Sequence, residues 1–188
     1  LALAVKFMLS KRLGDVVINL STSRAIDDIV EYYNCRLTKA KVGEINVADK
    51  MREIGAVIGG EGNGGVILPD LHLGRDAPVA AALTLQHLAE ADTSLTELKQ
   101  SVPQYYIVKD KTPLGEVDAD EVIEHFTRKY SEDRINTLDG LRIDRPDCWV
   151  HLRKSNTEPI MRLIVEARTP EIAWRVLQES KEEVAGVG

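Results

Sequence analysis

Arg153-Lys154-Ser155-Asn156-Thr157-Glu158-Pro159 is the stretch whose reading decides the fold of the second half of this chain. It lies between two segments that alternate like strands. Before it, Cys148, Val150 and Leu152 fall on one side, and Trp149, His151 and Arg153 on the other. After it, Met161, Leu163 and Val165 oppose Arg162, Glu166 and Arg168. Side chains two apart share a strand face. The stretch therefore reads as a loop joining two half-buried strands. Its side chains suit an anion. A guanidinium offers a planar fork of donors that matches phosphate oxygens in pairs. Ser155 and Thr157 add hydroxyls and Asn156 an amide. A tight turn also gathers backbone N–H groups into one concavity. A polar hairpin turn with one solvated Arg fits the same letters.

Working outward, Asp118 and Glu121 form a capping pair ahead of a helix with Val122, Ile123, Phe126 and Tyr130 inward. Short strands are expected at 105–109, 135–138 and 141–144, the last two joined by a hairpin turn at Asp139-Gly140. Thr169-Pro170 opens a final helix with Ile172, Ala173, Val176, Leu177 and Val184 on one stripe. This is an α+β pattern, an antiparallel sheet with helices on one face.

The first half differs. Asp15 to Leu20 is a short apolar run that reads as a buried parallel strand. Ser21-Thr22-Ser23 offers hydroxyl caps to a helix carrying Ile26, Ile29, Val30 and Tyr33. A strand over 36–42, a helix over 45–54 and a strand over 56–59 follow, which predicts a mainly parallel sheet with crossover helices. Asp76 is expected to cap a helix from Ala77 to Glu90, and Ser94 and Glu97 form a capping box for a short helix. Pro103 marks the boundary, giving an α/β domain at 1–102 and an α+β domain at 103–188.

Gly59 to Gly65 is a glycine-rich bend, and Gly60-x-Gly62-x-x-Gly65 spells a dinucleotide fingerprint. That fingerprint must open a helix whose N-terminus holds the pyrophosphate. Val66-Ile67-Leu68-Pro69 follows instead, which is extended, so the nicotinamide reading is rejected. Close backbone approach to a ligand is what the glycines provide. Glu61 and Asn63 are the side chains expected to reach out, and a carboxylate and an amide can read neighbouring sugar hydroxyls. A flexible loop with a solvated Glu fits the same residues.

The string Arg-x-Ser-Asn-Thr-Glu-Pro, with Arg162 three residues beyond the Pro, resembles the phosphate-binding loop in the last domain of the α-D-phosphohexomutases. These are the phosphoglucomutase, phosphomannomutase and phosphoglucosamine mutase relatives. The resemblance covers nearly the whole chain and implies the family's third domain, truncated at its start, followed by its fourth. Carried over by position, it makes Arg153, Ser155, Asn156 and Thr157 the substrate phosphate ligands, with Lys154 at a variable place. The bend at 60–65 is similar to the family's sugar loop, Gly-Glu-x-Ser-Gly-His. Glu61 matches, Asn63 stands for the usual Ser and Gly65 for the His, which leaves the sugar's identity open. Glu44, Arg75 and Arg162 are further candidates.

The resemblance also implies an isomerase that interconverts hexose or hexosamine 1- and 6-phosphates through a phosphoserine and a bisphosphate. The serine loop and the Asp-rich Mg²⁺ loop of the family do not occur in these residues. Leu1 falls inside an amphipathic run, which reads as a cut through a longer protein. The fragment is thus expected to supply grip without chemistry, to hold no catalytic residue or metal ligand, and to be inactive alone. A non-catalytic sugar-phosphate binding module is the alternative.

Composition bounds the rest. The 188 residues carry a net charge of −6, which argues against a nucleic-acid partner. No apolar run reaches membrane-spanning length. Cys35 and Cys148 set no disulfide framework, and a cytoplasmic location is the default expectation. Neither the preferred sugar nor the oligomeric state can be read from the sequence.

Overall fold

The structure is a computed structural model that describes residues 1–115, 117–155 and 157–187. The chain divides into two compact units, Leu1–Gln104 and Tyr105–Gly188.

The first unit is built on β1 (Val16–Asn19), β2 (Leu37–Ala40), β3 (Ile58–Gly60) and β4 (Val66–Ile67), in the order β2-β1-β3-β4. β1 runs parallel to β2 and β3, and β4 pairs antiparallel with β3. Successive side chains of a strand point to opposite faces. Val16 and Ile18 of β1 therefore pack with α1 (Ala2–Lys11), α2 (Ala25–Tyr32) and α4 (Ala77–Ala91), through Val5, Phe7, Ile26, Ile29, Val79 and Leu83. Val17 faces the other way, toward Val47, Ala48 and Met51 of α3 (Glu44–Ile54). Helices thus cover both faces of the sheet. A short α5 (Leu95–Gln100) closes the unit with the capping box read from Ser94 and Glu97.

The second unit holds β5 (Tyr106–Pro113), β6 (Arg134–Asn136), β7 (Leu141–Asp144), β8 (Cys148–Lys154) and β9 (Ile160–Ala167). Their order is β5-β9-β8-β7-β6, with every pair antiparallel. α6 (Ala119–Lys129) and α7 (Pro170–Ala185) contribute Val122, Phe126, Ala173, Val176, Leu177 and Val184 to one core with Val150, Leu152, Leu163 and Val165.

Several boundaries moved. Strand β5 runs on to Pro113, beyond the expected 105–109. It is an edge strand, where lysines and a proline are tolerated because one side of its backbone has no partner strand. β2 and β6 are shorter than expected, at Leu37–Ala40 and Arg134–Asn136. Of the Ser21-Thr22-Ser23 hydroxyls, Ser23 caps the start of α2, its Oγ accepting from the Ala25 N–H (3.2 Å), while Arg24 at the boundary makes no side-chain cap. Asn19 draws in the other two, its Oδ1 accepting from the Ser21 N–H (3.0 Å) and the Thr22 hydroxyl (2.9 Å). At α6, Asp118 accepts from the Asp120 N–H (2.8 Å), so the cap is made one position earlier than the expected partner Glu121.

The largest correction concerns β8. The alternation reads it as a half-buried strand, yet Trp149 and His151, on the side opposite Cys148, Val150 and Leu152, are fully buried as well. The Arg142 guanidinium, also fully buried, stacks 4.1 Å from the Trp149 ring. It is paired with Asp144 through Nε (3.0 Å) and Nη2 (2.8 Å). The Trp149 indole N–H donates to Glu166 Oε1 at 2.7 Å. Charges are tolerated at such depth only when paired and hydrogen-bonded, which is the case here.

Candidate functional site

In the second unit, β8 and β9 are joined by the loop at 155–159. Its ends are fixed by the strand ladder and by the Ser155 N–H donating to the Ile160 carbonyl (3.1 Å). Inside the loop, the Thr157 N–H reaches Ser155 Oγ at 3.4 Å, and the two hydroxyls lie 3.5 Å apart. Asn156, the fourth expected ligand, lies outside the described residues. Lys154 turns to the opposite face and pairs with Asp120 (2.8 Å), away from Arg153.

Arg153 and Arg162 are direct cross-strand partners and therefore share a face. The structure brings them together beside the Ser155–Thr157 loop. A concavity of about 590 Å³ opens there, its lining including Lys109, Asp110, Lys111, Arg153, Glu158 and Arg162. Among the described residues Arg153 has one ion-pair partner, Asp139, whose Oδ2 lies 3.1 Å from its Nε without an aligned hydrogen bond. Asp139 sits in the β6–β7 turn, where Gly140 takes φ +73°. A Cβ on Gly140 would lie 2.2 Å from the Leu152 carbonyl oxygen, so this turn is pressed onto β8. The Asp139 carbonyl also accepts from His151 Nε2 at 2.7 Å. Burial pushes the His151 imidazolium down to a pKa of about 4, against the partial support of that carbonyl. Asp139 was read from the sequence only as half of a turn. The strand spacing alone could not show which strand that turn covers.

In the first unit, three strand ends converge. Asn19 ends β1, Gly43 follows β2 and Glu61 follows β3. In open α/β sheets, ligands bind outside the carboxyl ends of the strands, where neighbouring connections leave in opposite directions. With order β2-β1-β3, that point lies between β1 and β3. Glu61 stands there, but it does not reach out as expected. It is 4% exposed. Its Oε1 accepts from Asn19 Nδ2 (2.9 Å) and the Gly43 N–H (3.0 Å), and its Oε2 meets Arg75 Nη1 at 3.2 Å. Arg75 has a second anchor, since Glu44 accepts from both its backbone N–H and its Nε at 2.8 Å each. The Arg75 backbone N–H first, then its side chain, hold the Glu44 carboxyl below the usual carboxylate range. Glu61, Glu44 and Arg75 thus form one cluster, and Asn19, not singled out from the sequence, is its buried support. A polar residue ending an apolar strand was the one signal that could have marked it.

Asn63 is exposed, and its Oδ1 closes the bend by accepting from the Gly65 N–H (3.1 Å). The bend is a hairpin, with Gly60 opposite Val66, and β4 rather than a helix follows Gly65. That geometry removes the dinucleotide reading. Gly65 has a steric role as well: a Cβ there would lie 2.3 Å from Arg75 Cδ. Arg75 occupies the room that a side chain at 65 would need.

Among the described residues, no three His, Cys, Asp or Glu side chains gather as a metal site requires. No helix among them is long and apolar enough to cross a membrane.

Comparison with known proteins gives a consistent result. The family model described as phosphoglucomutase/phosphomannomutase, alpha/beta/alpha domain III, matches residues 1–106. The model of the C-terminal domain of the same family matches residues 106–183. The chain is 36% identical over 168 residues to a probable phosphoglucosamine mutase of Methanopyrus kandleri, covering 88% of this chain and 37% of that protein. Among solved structures, a phosphoglucomutase/phosphomannomutase family protein from Burkholderia thailandensis superposes with a TM-score of 0.81 at 24% identity, over 100% of this chain and 41% of that one. The Aspergillus fumigatus N-acetylphosphoglucosamine mutase, solved with GlcNAc-6P and magnesium, superposes with a TM-score of 0.67 at 14% identity, over 100% of this chain and 43% of that one. This chain therefore spans less than half the length of the proteins it matches.

Proposed function

The chain belongs to the phosphoglucomutase/phosphomannomutase family, the α-D-phosphohexomutases, and from that premise we propose that it is the sugar- and phosphate-recognising part of an isomerase of hexose or hexosamine phosphates. The whole enzyme would interconvert the 1- and 6-phosphates through a phosphoserine and a bisphosphate, with Mg²⁺ neutralising charge during transfer. No residue of this chain is assigned to that transfer or to the metal. An amino sugar is the first substrate to test, because the Methanopyrus relative carries the name phosphoglucosamine mutase.

The observation that carries the reading is the cross-strand pair Arg153–Arg162 beside the Ser155–Thr157 loop. Two cations directly opposite one another repel, and an anion between them converts that repulsion into attraction. Arg153, Ser155, Asn156 and Thr157 would hold the phosphate that is not being transferred, with Arg162 beside them. Glu61, Asn63, Glu44 and Arg75 would read the sugar. Glu61 would do so by exchanging its longer contact with Arg75 for a hydroxyl, while Glu44 keeps the guanidinium in place. The Nδ2 of Asn63 is the end of that side chain left to the ligand, its Oδ1 serving the bend.

The test is an assay of the full-length protein with glucosamine 6-phosphate, Mg²⁺ and a catalytic amount of the corresponding bisphosphate. Formation of the 1-phosphate is expected. Calorimetry on the 188-residue chain separates the alternative. Tight binding of hexose phosphates by this chain, with no turnover by the full-length protein, would make it a non-catalytic binding module instead.

A further inference from the structure

The row of cations does not stop at Arg162. Register places Lys111 of β5 directly opposite Arg162, which is opposite Arg153. Three neighbouring strands thus present three cations on one face in a single line. Strands are spaced about 4.8 Å apart, so these side chains stand within reach of one ligand. Lys109 lies two residues back on the same face and lines the same concavity. Among the described residues no salt bridge reaches the side chains of Lys109, Lys111 or Arg162, and Lys111 has only the longer-range attraction of Asp110. Asp110, between the two lysines, turns to the helix face and is taken by Lys181 of α7 at 2.5 Å.

Like charges opposite one another on a sheet cost stability, and an edge strand needs only scattered lysines to avoid sticking to others. Edge protection therefore does not account for this alignment with two arginines. The charge count is informative. Four cations line the groove together with Glu158 and with Asp110, whose charge Lys181 neutralises, and Asp139 stands on Arg153. That leaves two positive charges, the complement of a phosphomonoester with both protons lost.

We propose that Lys109 and Lys111 form the far wall of the anion site, with Arg162 as its floor and Arg153 as its near wall, so that the groove selects a doubly charged phosphomonoester over a singly charged anion of the same shape. This rests on the phosphate-loop reading above and adds two ligands and a selection rule to it. The lysines are point charges that act from a distance, whereas the arginine fork fixes geometry. Removing the lysines therefore acts on charge selection more than on orientation.

The experiment titrates the 188-residue chain at pH 8 with glucose 6-phosphate, a dianion there, and with glucose 6-sulfate, a monoanion at any pH. Backbone amide shifts at Arg153, Ser155 and Thr157 report binding. The wild-type chain is expected to prefer the phosphate about tenfold, and Lys109→Ala/Lys111→Ala to reduce that preference to about twofold. The control Lys50→Ala/Lys99→Ala removes the same charge elsewhere and should leave the preference intact. An unchanged preference in the Lys109/Lys111 variant overturns the proposal. So does an equal loss in the control. If Arg153→Ala abolishes binding in either of those cases, the phosphate-loop reading survives without the lysines. No shift at those three amides with either anion sinks both.

Discussion

The Nε of Arg153 lies 3.1 Å from the carboxylate of Asp139, and the turn that carries Asp139 is pressed against the strand that carries Arg153. A guanidinium held at Nε keeps both terminal nitrogens for a ligand. The contact also has an opposing electrostatic effect, since Asp139 places a negative charge beside an anion site. The two effects predict opposite signs on its removal, so the variant discriminates between them. The buried Nε makes no aligned hydrogen bond, so the contact is an ion pair that fixes where the fork lies; the bidentate phosphate contact it positions is worth about 2–5 kcal/mol, against about 1 kcal/mol for a charge acting through water at 4 Å. Orientation should win.

Asp139→Ala in the full-length enzyme is accordingly expected to raise KM for the sugar phosphate about tenfold. Asp139→Asn, which keeps the shape and removes the charge, should lose about as much, because the contact is an ion pair. The carbonyl of residue 139 still accepts from His151 in both variants, so the turn is retained. Tighter substrate binding by Asp139→Ala would show that charge, not orientation, governs this contact.

In the first unit, Gly65→Ala and Gly59→Ala separate site from scaffold. A Cβ on Gly65 meets the flexible Arg75 side chain at 2.3 Å, which can move at the cost of its contacts with Glu44 and Glu61. A Cβ on Gly59 meets the Val17 carbonyl oxygen and the Met51 sulfur at 2.5 Å each, inside the core. Gly65→Ala should raise KM with little change in the denaturation midpoint. Gly59→Ala should lose roughly 2–4 kcal/mol of stability by urea denaturation, as overpacked cores do. The reverse pattern would remove Arg75 from the sugar site.

Asn19→Ala tests the buried support of Glu61. It deletes a donor to Glu61 and an acceptor shared by Ser21 and Thr22. Breaking such buried bonds costs about 1–3 kcal/mol. Far-UV circular dichroism in urea is the measurement, and an unchanged midpoint would mean that the cluster does not depend on Asn19.

Acid should weaken the second unit through His151. Its folded pKa is about 4, against 6.5 ordinarily, and burial is the main cause. Between those values the unfolded chain binds a proton that the folded chain excludes, so stability rises with pH across the window. The contribution is complete above pH 6.5 and is lost as pH falls toward 4, with a size on the order of 3 kcal/mol. Both tryptophans, Trp149 and Trp174, lie in this unit, so tryptophan fluorescence reports its unfolding alone. His151→Gln should flatten the dependence between pH 4 and 6.5. A wild-type midpoint that does not move across that window would contradict the assignment.

What the sequence made legible was local. The two strands on either side of 155–159, the capping box at Ser94–Glu97 and the helix stripe of Ile26, Ile29 and Val30 each depend on neighbours in the chain, and each formed where expected. Polar residues misled where tertiary contacts set their environment. Strand β8 read as half-buried because nothing local announces that Arg142, Asp144 and Glu166 will provide partners for the layer of Trp149 and His151. Glu61 read as reaching outward because its three partners come from positions 19, 43 and 75. Lys109 and Lys111 drew no notice, since their significance appears only when the register sets Lys111 opposite Arg162.

The central claim is that Arg153 holds the phosphate, and kcat/KM of Arg153→Ala in the full-length enzyme tests it most directly. Losing a bidentate charged contact costs about 2–5 kcal/mol, which predicts a fall of roughly 30-fold or more. Kinetics within about twofold of wild type, measured on a variant with an unchanged denaturation midpoint, would contradict the account.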